Sequence, residues 1–449
     1  MSIIKKAGRL IAIQLLLITT SATATETTAF DSFVQLQLKK DGPGVAYIVT
    51  KHGETLYSGA YGMANLETGT VLSPDSIFNL ASITKQFTAA AIMQLQEQGK
   101  LNVKDNITKY LPEFPTQGHS ISIEHLLTHT AGLARDQRTR SNDTKISSAQ
   151  LMQLFAVEPL QFTPGEKMQY SNMGYKLLGR IIEVVSGQPY GDYIEQHLFA
   201  KLGMKHSNYG HRHSGAAKAI GYLHSWRHGY QRSDMPDISW SYAGGGLASS
   251  AQDLALWYQA LQAGQLISLN SYQQMIKPFT LNDGSSSYYG YGLNNIELHN
   301  RKAIIHQGGL PGYSTSAAYF PEEGIYAAVL SNRQHTDTFE LLSVLTGEQF
   351  GLTYPNFAPV ELTAAQQQQI IGDYQTSSGA IRKLFIEDGV LYSKLDNALI
   401  YAITPLKNNT FLYTNSSSYF TLVADPTGRH IMTFYPDFTA NAEIAVKLP

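Results

Sequence analysis

The sequence predicts an α/β protein in which helices cover an antiparallel sheet, followed by a small all-β domain. Three observations predict it. β-rich runs stand near both ends of the first 358 residues, helical periodicities fill the stretch between them, and beyond Pro359 short strands follow one another with turn signals.

The chain opens with "MSIIKKAGRLIAIQLLLITTSATATET": Lys5, Lys6 and Arg9, an apolar run from Leu10 to Ile18, then Ala22-Thr23-Ala24. This pattern predicts a secretory signal at residues 1–24, cleaved after Ala24 and leaving no integral membrane segment. The run is about half the roughly twenty apolar residues that a membrane-spanning helix needs.

"GVAYIVTKHGETLYSGAYGMAN" holds two β-rich runs about His52-Gly53, a hairpin. In "NLASITKQFTAAAIMQLQEQGKL", Ile83, Phe87, Ala90, Ala91 and Met93 recur at helical intervals, with Gly99 as a stop. That helix places one face in the core and Ser82 in its first turn, with Lys85 on the same side. An ammonium there loses hydration, so it must find a polar partner or lower its pKa.

From Leu101 to Arg135 short helices and turns are expected. Two helical patterns then flank a Pro164-Gly165 loop, the second from about Met173 to Val185. Residues 206–237, rich in His, Ser, Gly and Tyr, predict a long surface excursion. After Gly244 to Gly246, Ser250 is placed to N-cap a helix, with Asp253 three residues on. "AIIHQGGLPGYSTSAAYFPEEGIYAAVLSN" reads as a β-meander with a turn at Glu323-Gly324, sharing one sheet with the N-terminal hairpin. In the last part, Asp388-Gly389, Asn408-Asn409 and Thr427-Gly428 separate strands of a barrel or sandwich.

Composition bounds the function. The 449 residues carry a formal net charge of −2, without the basic footprint of a nucleic-acid binder. Small neutral or amphiphilic ligands fit this balance better. The chain has 0 cysteines, which excludes disulfides, thiol nucleophiles, zinc-thiolate sites and a lipidated cysteine after the signal. Export without disulfides suits a periplasmic or secreted bacterial protein whose stability rests on the size of its core.

Three short patterns carry chemistry: Ser82-Ile83-Thr84-Lys85, Tyr170-Ser171-Asn172 before a helix, and His306-Gln307-Gly308 on a strand followed by Gly309. Each alone is weak. Ser-x-x-Lys recurs at Ser2 and Lys5, Tyr-x-Asn at Tyr354 and Tyr413, and His-x-Gly at His213. Their order and placement are far more specific.

With "HLLTHTAGL", "TPGEKMQYSN", "GGGLASSAQDLALW" and "HQGGLPGY" beside "SITKQFTA", the sequence resembles the serine beta-lactamase and penicillin-binding-protein superfamily from about Phe30 to Leu352. It is most similar to the class C beta-lactamase-like hydrolases of peptidase family S12 type, with D-alanyl-D-alanine carboxypeptidase and esterase members. The resemblance implies a helical subdomain against an α/β sandwich over residues 25–358, with the site between them. Residues 359–449 look like the lipocalin-like accessory domain of such proteins, which carries no catalytic motif.

A serine hydroxyl needs a base within hydrogen-bond reach. Either Tyr170, its phenol partly ionised by a neighbouring Lys85, or Lys85 itself, desolvated and neutral, takes the proton. By resemblance Asn172 binds Lys85 and the substrate, His306 and Gly308 line the substrate site, and the backbone N–H groups of Ser82 and Gly309 form the oxyanion hole. The third motif departs from the Lys-Thr-Gly of true beta-lactamases and transpeptidases. His306 is largely neutral at pH 7, which weakens carboxylate recognition and makes esters and amidated peptides more plausible substrates.

The expected function is an exported serine hydrolase acting through an acyl-enzyme at Ser82, without metal or organic cofactor. Its substrates are peptides containing D-amino acids, cleaved in carboxypeptidase or aminopeptidase fashion, or in the second reading small acyl esters. A silent penicillin-binding scaffold, the reading from another class, needs none of Ser82, Lys85, Tyr170 and Asn172 together.

Other residues have bland readings that weigh more. His125 and His129 stand at zinc-ligand spacing on a helix, but no Glu follows His125 to act as a base, so packing is preferred. The histidines at 206, 211, 213, 224 and 228 read as a solvated loop. Tyr175, Tyr222, Tyr242, Tyr288, Tyr291 and Tyr313 are candidates for a cleft lining, although most tyrosines are half-buried packing residues.

Overall fold

The structure, a computed structural model, describes residues 28–139, 141–210, 218–225, 227–414, 416–436 and 442–449. The N-terminal signal with its cleavage site, and His211 and His213, lie outside the described residues.

The hairpin is strand β1 (Val45–Lys51) and β2 (Glu54–Tyr61). His52 and Gly53 turn it with φ of 51° and 87°, the left-handed pair that matches strand twist in a tight hairpin. Strands β3 (Asn294–Leu298), β4 (Arg301–Leu310), β5 (Tyr313–Phe320) and β6 (Ile325–Ser331) complete a six-stranded antiparallel sheet in the order β3-β4-β5-β6-β1-β2. Val45 pairs with Ser331 and Lys51 with Ile325, joining the two ends of the domain as the sequence pattern anticipated. The edge strand β3 was not among the expected elements; its residues alternate too weakly in polarity to announce a strand.

This sheet is covered on both faces. Side chains alternate along a strand. Ala46 and Ile48 accordingly enter a core with the central helices, whereas Val45, Tyr47 and Val49 enter a second core. That second core is roofed by α1 (Ala29–Gln37) and the helix Thr338–Gln349, which pack side by side, and Leu406 and Leu412 of the last domain join it.

Helix α2 (Thr84–Glu97) follows a single 3₁₀ turn, Ala81–Ile83, that holds Ser82. Every residue from Thr84 to Leu95 is buried, so the helix is core all round rather than on one face. Its polar side chains, Lys85, Gln86, Thr88 and Gln94, each find a partner inside, as buried polar groups must. Helix α3 (Asn172–Ser186) starts at the Ser171 N-cap and stops at Gly187 with φ 73°, a left-handed C-terminal cap. Helix α4 (Ala251–Gln262) is N-capped by Ser250, as expected. The Asp253 carboxylate turns instead to the His206 N–H and the Ser207 hydroxyl. Helix α5 (Thr338–Gln349) closes the domain.

Two expectations for loops change. The stretch from 206 to 237 contains strand Asn208–Tyr209 and a hairpin, Tyr222–Ser225 with Gly229–Arg232. His129 has φ 59° and lies past the end of the helix Ile123–Leu127, so the two histidines do not share one helix face.

Beyond Pro359 the chain forms a closed eight-stranded barrel, its first strand Gly372–Thr376 pairing with its last, Glu443–Lys447. Closure removes the exposed edges that a sandwich would leave. Arg382 lies within it: its guanidinium donates to the Tyr413 hydroxyl at 2.6 Å and stacks 4.1 Å from the Phe434 ring. Among the described residues no helix is long and apolar enough to cross a membrane.

Candidate active site

Three segments far apart in sequence meet at Ser82: the start of α2, the N-terminus of α3, and the end of β4. Strand β4 pairs with β3 only as far as Ile305, opposite Asn294. From His306 to Leu310 its outer edge is therefore left to the cleft. Close approach of β4 to the Ser82 turn requires glycine at 308. A Cβ there would stand 2.4 Å from the Leu80 carbonyl oxygen and 2.4 Å from Thr315 Oγ1. A Cβ on Gly309 would meet nothing within 4 Å, so the small residue there keeps space open rather than relieving a clash.

Lys85 is 0% exposed. Its Nζ lies 2.9 Å from Asn172 Oδ1, 2.7 Å from the Gly244 carbonyl oxygen and 3.2 Å from Ser82 Oγ. Two of these oxygens can only accept, whereas the hydroxyl can either accept or donate. Burial, with the nearby charges of Lys176 and Arg135, holds the Lys85 pKa well below its usual 10.5. A neutral amine fits this cage: two N–H bonds go to Asn172 and Gly244, and the lone pair faces the Ser82 hydroxyl.

Tyr170 lines the cleft beside Ser82, and burial raises its phenol above the usual 10 although the Ser82 hydroxyl and the Arg135 charge act to lower it. Lys85 Nζ stands 4.8 Å from the Tyr170 ring centroid and the Arg135 guanidinium carbon 5.2 Å. The Lys85 amine and the Arg135 guanidinium thus both stand over the ring.

Asn172 is held in one orientation. Its Nδ2 donates to both oxygens of Asp136, at 3.1 and 3.0 Å, and a carboxylate can only accept, so Oδ1 is left facing Lys85. Asp136 also lies 3.7 Å from the buried Lys176 ammonium. His306 is buried, with Nδ1 donating to the Gln307 carbonyl at 2.7 Å and Nε2 accepting from the Tyr289 hydroxyl at 2.8 Å. Burial above all pushes its pKa down to about 3, so the ring is neutral over the whole physiological range. Below it, His129 Nδ1 accepts the Ser171 N–H at 3.1 Å, and its ring packs 4.2 Å from that of Tyr170.

Ser82, Tyr170, Asn172, His306, Gly308 and Gly309 thus line one cleft with Lys85 beneath it. Sequence reasoning missed Arg135, Asp136, the Gly244 carbonyl and Tyr289. Arg135 and Asp136 stand just past "HTAGL", after Ala134, and could have been suspected from that block, but nothing local marks the Gly244 carbonyl. The tyrosines proposed for the lining stand elsewhere. Tyr175, Tyr222, Tyr291 and Tyr313 are buried donors to Leu127, Glu67, Glu124 and Ala219. Tyr242 is buried and Tyr288 is exposed away from the cleft, whose tyrosines are Tyr170 and Tyr289. His125 Nδ1 accepts the Ser122 N–H in a capping box. Among the described residues no group of three or more His, Cys, Asp or Glu could hold a metal.

The beta-lactamase family profile matches residues 29–345, more than half of the chain and all three segments of the cleft. The chain belongs to the beta-lactamase family. As a member of that family it is a serine hydrolase. Penicillin-binding protein 4* of Bacillus subtilis (strain 168) is 28% identical to this beta-lactamase-family chain over 392 residues, which is 81% of this chain and 86% of the relative. The octameric penicillin-binding protein homologue from Pyrococcus abyssi shares the fold over 94% of this chain and 100% of its own, with a TM-score of 0.66 at 23% identity. That coverage reaches into the barrel. The D-amino acid amidase from Ochrobactrum anthropi SV3 covers 69% of this chain and 94% of its own, with a TM-score of 0.57 at 25% identity.

Proposed function

We propose that this serine hydrolase cleaves amide bonds in peptides containing D-amino acids, through an acyl-enzyme at Ser82. The observation that carries the reading is the cage around Lys85: two acceptor oxygens and the Ser82 hydroxyl, in a setting that disfavours the charged ammonium. Of the two candidate bases, Lys85 is driven toward its neutral form and Tyr170 toward its protonated form. Lys85 is therefore the base.

Lys85 takes the Ser82 proton as Oγ attacks the carbonyl carbon. The carbonyl electron pair moves onto oxygen, where the N–H groups of Ser82 and Gly309 receive it. Collapse breaks the C–N bond, and the leaving nitrogen takes the Tyr170 phenolic proton, which the Lys85 ammonium replaces. Water then attacks the acyl-enzyme, giving a proton to Lys85, and collapse expels the Ser82 oxygen, which takes that proton back from Lys85 as the acid product leaves.

The preference for D-amino-acid peptides is supported by the family and by the likeness to a D-amino acid amidase. A second reading, a carboxylesterase on small acyl esters, is favoured by the neutral His306, which offers no charge to a carboxylate. Export, read from residues 1–24, is part of the same proposal; N-terminal sequencing of protein recovered outside the cytoplasm should begin at Thr25.

A fluorescent penicillin and a fluorophosphonate test the chemistry together. Both label the wild type and neither labels Ser82→Ala if the reading holds. Equal labelling of the variant defeats it, and labelling by fluorophosphonate alone favours the esterase. Turnover of D-amino-acid peptides against p-nitrophenyl esters then separates the two substrate classes.

A further inference from the structure

Ser82, Asn172 and Gly309 divide the cleft into two lobes. The smaller, about 300 Å³, includes Asp136, Lys176 and Trp240 in its lining. The larger, about 490 Å³, includes Arg135, Tyr170, Tyr289, His306 and Gln307. Tyr170 lines only the second, so a leaving group that takes its proton from that phenol departs through the larger lobe.

Among the described residues lining this lobe, Arg135 alone carries a formal charge. His306 supplies none, because its ring is buried, with its nitrogens turned to Tyr289 and the Gln307 carbonyl. Lys85 lies beneath the floor with its three contacts already made. The Arg135 side chain is 70% exposed, and its nearest carboxylate oxygen, on Asp136, is 3.8 Å from Nε. Both Asp136 oxygens are already taken up by Asn172 Nδ2. Among the described residues the terminal Nη groups of Arg135 make no hydrogen bond.

The base of the side chain is anchored, since the Arg135 carbonyl accepts the Asn172 N–H at 2.8 Å. Stacking on Tyr170 steadies its plane. A guanidinium held this way presents a two-pronged donor fork, the shape that a carboxylate matches.

We propose that Arg135 reads a free carboxylate on the leaving group, taking the task that a lysine performs in the third motif of true beta-lactamases. The preferred scissile bond is then the last peptide bond of a chain that ends in a free carboxylate, over the same bond in an amidated peptide. This rests on the D-peptide reading above and narrows it to a carboxypeptidase.

The test compares N-acetyl-D-Ala-D-Ala with its C-terminal amide, in the wild type, Arg135→Gln and Arg135→Lys, with melting curves to establish that each variant folds. The wild type should favour the free acid. In Arg135→Gln that preference in kcat/KM should fall by roughly tenfold to a hundredfold, the worth of a charged hydrogen-bond pair, and KM for the acid should carry most of the loss. Arg135→Lys should recover part of it.

If Arg135 serves only to tune Tyr170, both substrates lose rate equally and the pH–rate profile moves. That result overturns the proposal, as does a wild type that cleaves acid and amide equally well; either leaves the D-peptide reading standing. A wild type that cleaves neither overturns both.

Discussion

Two buried cations, one in each domain, make an instructive pair. Lys85 sits in the hydrolase core with two acceptor-only oxygens and one hydroxyl around it. Arg382, 6% exposed inside the barrel, donates to a tyrosine hydroxyl and lies over an aromatic ring. Among the described residues, neither side chain has a carboxylate within hydrogen-bond reach. The responses differ because the groups differ. An ammonium can shed its proton when water is stripped away, whereas a guanidinium keeps its charge and spreads it over a π-face and a neighbouring hydroxyl. Burial of a lysine beside a hydroxyl makes a base; burial of an arginine among aromatic rings makes architecture.

The contrast can be broken first at the serine. Ser82→Ala should abolish covalent labelling and turnover outright, with the melting temperature close to wild type, as read by gel fluorescence and calorimetry. Next, Lys85→Arg puts a permanent positive charge where the cage favours a neutral amine and removes the ability to take up a proton. Turnover should fall by about 10²–10⁴-fold, the usual worth of a general base. Activity surviving in Lys85→Arg would assign the base to Tyr170 instead.

A smaller effect is expected at Asp136. Asp136→Ala frees the Asn172 amide to rotate, so kcat should drop by about tenfold to a hundredfold, the scale on which misplaced catalytic geometry costs rate.

The pH dependence sharpens the same point. With His306 at about 3, no limb of the rate profile should fall near pH 6.5, and a His306→Gln variant should leave the profile's shape alone. The rising limb belongs to Lys85, below the usual 10.5, and Lys85→Arg should erase it.

Two stability effects come last. Glu340, on α5 and in reach of Ser417 of the barrel domain, has its carboxyl raised from 4.5 to about 8, by burial first and by the Asp337 charge second. Its folded-state pKa exceeds the unfolded one, so the folded form keeps a proton that the unfolded form has released. Stability is full below about pH 4.5 and falls as pH rises through 8. Melting temperatures at pH 5 and pH 9 should differ, and the difference should shrink in Glu340→Gln. Finally, Arg382→Met should shift the melting temperature by only a few degrees and leave turnover intact, since an apolar chain of similar length often replaces a buried charge without loss. Tyr413 keeps its bond to Ser393 at 2.8 Å.

Legibility from the sequence followed distance along the chain. The hairpin at His52-Gly53, the helix after Ser82, the Ser250 cap and the barrel turns at Asp388-Gly389 and Asn408-Asn409 are set by neighbouring residues, so periodicity and turn chemistry reveal them. Strand β3 depends on pairing with β4 and gives almost no local signal. In the cleft, the motif residues could be named because each sits in a short pattern of fixed spacing. The Gly244 carbonyl could not be named, because a backbone oxygen has no sequence signature and lies 159 positions from Lys85. The six tyrosines offered for the lining fell elsewhere because a tyrosine's apolar ring suits core and cleft equally.

The sequence by itself determined the order of elements, a sheet covered by helices, the separate β domain, and the local pairs Ser82 with Lys85 and Tyr170 with Asn172. These are local quantities, written in spacing and polarity. Only the tertiary structure decided the protonation states. Whether Lys85 is an ammonium, Tyr170 a phenol and His306 a neutral ring depends on how much water is excluded and which oxygens arrive from distant segments. Desolvation and charge act through space and leave no mark on the order of residues.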